Sequence, residues 1–339
     1  MRRALLVIAV AACSHGDPPA TTQQAAAAPS PLPATAHGRV TTERFHSTAL
    51  GVDKDYVVYL PADYETSGKH YPVFYYLHGL GGNEHDWVEG GHLAETADKL
   101  GLAAIVVMPD GDDAFYADGV APIDYAACMK DASGLFLQKQ RAKTCVKKRD
   151  YETYITKDLV AEVDGKYRTL ATKQGRAIAG LSMGGFGALE LSLRHTDEYA
   201  AAASHSGIDA LLYVGPHPYV AGKVELLEDV KQWGVSAPIP DLNPWMRGIF
   251  GDDLATWQQH DPAYLAQQLA PGALALYLDC GTEDIFALND GALYLHDLLL
   301  ARKIDHAFYI GPGHHDFRFW VARLPESLKF LRDHTAKPS

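Results

Sequence analysis

The chain has 339 residues, 47% of them hydrophobic, with 30 Lys and Arg against 42 Asp and Glu and a formal net charge of -12. That apolar content suffices for a sizeable core in one large domain or two small ones. The acidic balance excludes the broad basic face that a nucleic-acid or anionic-membrane partner requires, and the one basic cluster, at 143–149, is broken by Thr144, Cys145 and Val146 and reads as solvated surface.

In chain order, Met1-Arg2-Arg3 forms a positive start, residues 4–10 a short apolar run, and Val10-Ala11-Ala12-Cys13 a small-residue cleavage pattern. The run is too short to span a bilayer. Residues 1–13 are therefore expected to be a signal peptide. Its end resembles a bacterial lipobox, which makes Cys13 a lipidation candidate and, with Ser14 following it, favours the outer membrane. The alternative is an ordinary secretory signal cut nearby. Either reading exports the protein to the periplasm or the cell surface, and the membrane is a partner only through the lipid anchor. Residues 14–39 are rich in Ala, Pro, Thr and Gln and read as a tether with too little apolar surface to order itself. The catalytic domain is expected over 40–335.

Apolar runs that suit strands buried on both faces recur at 56–60, 73–77, 104–108, 177–179, 200–203, 273–278 and 307–310. Helical patterns fall between them at 92–100, 151–170, 183–195, 289–302 and 317–332. This alternation predicts an α/β fold with a mostly parallel central sheet and helices on both faces. Two segments interrupt it. Residues 119–149 are a polar insertion, and residues 211–261, with Trp233, Trp245 and Trp257, read as a lid or substrate wall.

Of four cysteines, three remain once Cys13 is set aside as a lipidation site. Cys128 and Cys145 lie in one polar stretch and are candidates for a disulfide, which leaves Cys280 as a free buried thiol. No C-x-x-C spacing points to a metal. The acidic run Asp110, Asp112 and Asp113 lacks calcium-loop spacing and reads as a solvated loop. No cofactor is expected.

Gly180-Leu181-Ser182-Met183-Gly184 lies between an apolar run and a helical pattern, the context of a nucleophile elbow. A serine hydroxyl needs a base and a group that orients the base. In α/β-hydrolases these follow in the order Ser, acid, His. Downstream, one strand runs into Asp279-Cys280-Gly281-Thr282-Glu283-Asp284 and the next into Gly311-Pro312-Gly313-His314-His315-Asp316. Both loops fall at carboxyl ends of strands, where catalytic residues belong in such sheets.

The segments at 71–83, 105–111, 180–189, 204–207 and 281–284 together resemble the esterase D family of α/β-hydrolases over about 40–331. That family includes S-formylglutathione hydrolases, feruloyl and acetyl-xylan esterases, and mycolyltransferases. The chain departs from it in the 119–149 insertion and at His314, where the family pattern has glycine. The resemblance implies Ser182 as nucleophile, Asp284 as orienting acid and His315 as base, with His314 a rival base and Asp279 and Glu283 rival acids. It also implies an oxyanion hole from the backbone N–H groups of Met183 and Leu80. His78 and His205 read as structural. The expected function is an exported serine carboxylesterase working through an acyl-enzyme on Ser182 and acting on a small-molecule or glycan ester, with a carbohydrate or aromatic acid ester as the expected class. The alternatives are an acyltransferase to a sugar or lipid alcohol, or a non-catalytic binding protein on a hydrolase scaffold.

Overall fold

A computed structural model describes residues 37–130, 144–234 and 242–339, all within one unit, Ala36–Ser339. The signal peptide, Cys13 and nearly all of the tether lie outside the described residues. The strands are β1 (Arg39–Ser47), β2 (Val52–Leu60), β3 (Val73–Leu77), β4 (Ile105–Pro109), β5 (Arg176–Leu181), β6 (Ala201–His205), β9 (Ala275–Gly281) and β10 (His306–Gly311), with a separate hairpin of β7 (Tyr213–Gly215) and β8 (Glu225–Leu226). The main sheet runs in the order β1-β2-β4-β3-β5-β6-β9-β10. It is parallel from β4 to β10, with β1 and β2 added antiparallel at one edge.

Continuous apolar runs form these strands because alternate side chains feed two cores. Val73, Tyr75 and Leu77 of β3 join Ile105, Val107 and Ile178 on one face, while Phe74 and Tyr76 join Val106, Met108, Ala177 and Ala179 on the other. The first face is covered by α2 (Met183–Arg194) and α4 (Leu288–Ala301), through residues such as Phe186, Leu189, Leu295 and Leu299. The second is covered by α1 (Leu93–Lys99) and α5 (Phe317–Asp333), through Leu93, Ala97, Trp320, Leu324 and Leu328. Strand β1 escapes a reading based on buried runs because it is an edge strand whose residues are mostly exposed or half-buried.

The two interrupting segments differ. In the first, a short helix (Tyr125–Lys130) carries Cys128, which is disulfide-bonded to Cys145 with the Cα atoms 5.8 Å apart. Cys280 is a buried free thiol. The second segment supplies α3 (Leu242–Phe250). Trp233 and Trp257 are buried in the core, their indole N–H groups donating to the carbonyls of Leu211 (2.8 Å) and Gly251 (2.9 Å). Trp257 stands against both Trp233 and Phe250, and Phe250 against Phe186 of α2, so these bulky apolar residues extend the core beside that helix.

Candidate active site

Strand β5 ends at Leu181 and α2 starts at Met183, which leaves Ser182 alone to make the turn, with φ 54° and ψ -117°. A non-glycine residue at positive φ is strained and persists only where its surroundings over-determine it. Here the Ser182 N–H donates to the His205 carbonyl on β6 (2.8 Å), and the Ser182 carbonyl accepts from the Phe186 N–H (3.0 Å). The turn also requires glycine at 184, since a Cβ there would stand 2.3 Å from the Leu77 carbonyl oxygen and 2.6 Å from that of His78.

The elbow aims Ser182 Oγ at His315 Nε2, 2.9 Å away, and His315 Nδ1 lies 2.7 Å from Asp284 Oδ2. With Nδ1–H donating to the carboxylate, Nε2 presents a lone pair to the serine hydroxyl. Asp284 is itself fixed: its Oδ1 accepts the Phe286 N–H (2.9 Å), and its Oδ2 takes the Cys280 thiol (3.5 Å). The structure thus brings Ser182, His315 and Asp284 into one hydrogen-bonded chain.

The rivals are elsewhere. His314 is exposed and turns toward the Glu283 carbonyl (3.3 Å), while the Glu283 carboxylate accepts the Gly313 N–H. Asp279 is fully buried and pairs with His205 Nδ1 at 2.9 and 3.0 Å. The opposite side of that imidazole contacts Ser327 Oγ (2.9 Å), so His205 is held on both nitrogens behind the site. His78 is likewise enclosed: its Nε2 accepts the Gly111 N–H (2.9 Å), which leaves Nδ1–H to donate to the Gly79 carbonyl (2.8 Å).

Met183 is buried and Leu80 half-buried. Among the described residues, neither backbone N–H is engaged by another group. Beside Leu80, the Gly81 N–H donates to Asp113 Oδ1 (2.7 Å) and the Gly82 N–H to the Gly79 carbonyl (2.9 Å). The acidic run corrects the expectation of a solvated loop. Asp110 and Asp112 are buried and both take Lys54 Nζ at 2.9 Å, and the Tyr151 hydroxyl donates to Asp112 Oδ2 (2.5 Å). Burial, reinforced by the neighbouring Asp110 charge against the pull of Lys54, pushes the Asp112 carboxyl up to about 6. Burial also opposes ionisation of Asp110, but the Lys54 ammonium holds its carboxyl well below the usual range. Among the described residues no group of three or more His, Cys, Asp or Glu side chains is placed to hold a metal ion.

Two aromatic neighbours of the site carry no sequence signal that sets them apart from ordinary core. Phe286 and Trp320 both stand edge-on to the His315 ring, with centroids at 4.7 and 5.1 Å. The Trp320 indole N–H donates to Ser206 Oγ (3.2 Å), which fixes the wall behind the imidazole.

An eight-stranded, mostly parallel sheet with a strained serine elbow and a Ser-His-Asp chain at its carboxyl end defines an α/β-hydrolase. The Esterase family model matches residues 47–331. The chain belongs to that family. An esterase of Mycobacterium tuberculosis is 36% identical over 165 residues, 48% of this chain and 31% of the relative, so the chain spans about a third of that relative's length. An S-formylglutathione hydrolase of Bos taurus is 25% identical over 302 residues, 85% of this chain and 89% of that one. The solved structure of a ferulic acid esterase superposes with a TM-score of 0.63 at 22% identity, covering 88% of this chain and 99% of the other, a likeness of fold.

Proposed function

We propose that the protein is an exported serine carboxylesterase that works through an acyl-enzyme on Ser182. The observation that carries this reading is the unbroken hydrogen-bonded chain Ser182–His315–Asp284. His315 Nε2 takes the serine proton as Oγ attacks the ester carbonyl. The imidazolium is stabilised by Asp284, and the carbonyl oxygen, now negative, enters the unengaged N–H groups of Met183 and Leu80. His315 then returns the proton to the leaving alcohol. In the second half, water is deprotonated by the same nitrogen, attacks the acyl carbonyl and releases the acid with Ser182 restored.

For the substrate we infer an ester of a small acid, with an aromatic acid or a glycan alcohol as the leading classes. Family membership and the fold shared with a ferulic acid esterase support this. A fluorophosphonate probe should label Ser182; a folded protein that stays unlabelled sinks the reading. Product analysis with an added alcohol separates hydrolysis from acyl transfer, since a transferase makes a new ester where a hydrolase makes the free acid.

Export is inferred from the positive start, apolar run and Ala-Ala-Cys pattern at 1–13. If Cys13 is lipidated, Cys13→Ser moves the protein from the membrane fraction to the soluble one; unchanged partitioning rules the anchor out.

A further inference from the structure

The five residues from His78 to Gly82 carry half of the proposed oxyanion hole, and the loop after β4 grips them at several points. The Gly111 N–H donates to His78 Nε2 (2.9 Å), the Tyr116 hydroxyl to the His78 carbonyl (2.9 Å), and the Gly81 N–H to Asp113 Oδ1 (2.7 Å). The gripping loop is itself held in an unusual conformation. Asp112, Phe115 and Tyr116 hold positive φ values of 48°, 53° and 57°, a conformation that bulky residues keep only when the surroundings enforce it. Lys54 of β2 braces the start of the loop through Asp110 and Asp112, and Phe115 stands edge-on to Phe186 of α2. One further tie comes from outside: the Trp245 indole N–H, on α3, donates to the Asp113 carbonyl (2.9 Å).

Asp113 therefore stands between α3 and the oxyanion loop. Its carboxylate bonds the peptide N–H next to Leu80, and its carbonyl bonds Trp245. An N–H that must meet a developing oxyanion at about 2.7–3.1 Å loses value steeply when it drifts, so a fixed neighbouring peptide contributes to the transition state without touching it. We propose that Asp113 is a positioning residue of the oxyanion hole, holding the Leu80 N–H in place through Gly81, and that Trp245 of α3 holds Asp113. This rests on the esterase reading above.

The test compares wild type, Asp113→Ala, Asp113→Asn and Trp245→Phe on a short-chain aryl ester, with an alkyl boronic acid as tetrahedral analogue. Removing an oxyanion donor outright costs about 100- to 1000-fold in kcat. Loosening one should therefore cost less: Asp113→Ala is expected to lower kcat about 10- to 100-fold. KM should stay within about threefold, and boronate affinity should fall in parallel with kcat. Asp113→Asn keeps an acceptor oxygen for Gly81 and should recover kcat to within about threefold of wild type. Trp245→Phe should lose about 3- to 10-fold in kcat with KM unchanged. Wild-type kcat in Asp113→Ala overturns the proposal, as does a loss of kcat without weaker boronate binding. If Asp113→Ala does not fold, the Asn and Phe variants decide: a Trp245→Phe protein with wild-type kcat and boronate affinity overturns the coupling. An inactive, unlabelled wild type overturns the esterase reading itself, whereas an active wild type with unaffected variants overturns the role of Asp113 alone.

Discussion

His315 Nε2 lies 2.9 Å from Ser182 Oγ across 133 residues of chain, while the adjacent His314 turns away to the Glu283 carbonyl. Two neighbouring imidazoles thus differ entirely in what they can do. His315→Ala should lower kcat on an aryl ester by about a thousandfold or more, and His314→Ala should change it by no more than about threefold. Steady-state kinetics on the two purified variants check this, and comparable losses in both would reject the assignment.

The elbow tolerates no side chain at 184, because a Cβ would press within 2.3 Å of the Leu77 carbonyl oxygen, which is backbone that cannot move aside. Gly184→Ala should destabilise the fold by at least about 1–3 kcal/mol, the usual cost of overpacking, and should abolish turnover in whatever protein folds. Gly165→Ala, with nothing within 4 Å of the added Cβ, is the control. Thermal unfolding of both reads the difference, and a Gly184→Ala midpoint equal to that of Gly165→Ala contradicts it.

Asp209 is buried, bonded on one oxygen by Ser204 Oγ (2.6 Å), and its other oxygen has no partner among the described residues. Burial pushes its carboxyl from the ordinary 3.8 up to about 7. Between those values the unfolded chain has released the proton that the folded one keeps. The contribution of Asp209 to stability is therefore full below about pH 4 and lost as pH rises through 7. Asp209→Asn removes that slope, so its midpoint relative to wild type should be higher at pH 8 than at pH 5. A pH-independent difference would show that Asp209 is ionised in the fold.

Cys280 is fully buried, and burial raises its thiol well above the ordinary range. Iodoacetamide at pH 8 should leave Cys280 unmodified in the native protein and modify it after denaturation, as read by peptide mass spectrometry. Reduction of the Cys128–Cys145 bond, which spans 17 residues, should cost about 3 kcal/mol on the chain-entropy model. Alkylation of Cys280 in the folded, active protein would contradict the enclosure of the loop around Asp284.

The sequence by itself determined what local sterics and periodicity dictate. A serine with glycine two residues away on either side, after an apolar run and before a helical pattern, carries the local form of an elbow. Strand-length apolar runs alternating with helical patterns leave few folds other than a doubly covered parallel sheet. The order of serine, acid and histidine is also one-dimensional information. Tertiary structure decided what depends on register and facing. Asp279 and Asp284 lie five residues apart at the end of one strand, yet Asp279 sits opposite His205 in the β6–β9 register and is consumed by it. Asp284, beyond the last paired residue of β9, is free to reach His315. The acidic loop is the clearest case. Asp110, Asp112 and Asp113 look solvated in sequence because their partners Lys54, Tyr151 and Gly81 come from three separate segments. Only packing those segments together turns three surface-like charges into the frame of the oxyanion loop, since a buried carboxylate persists only where long-range donors meet it.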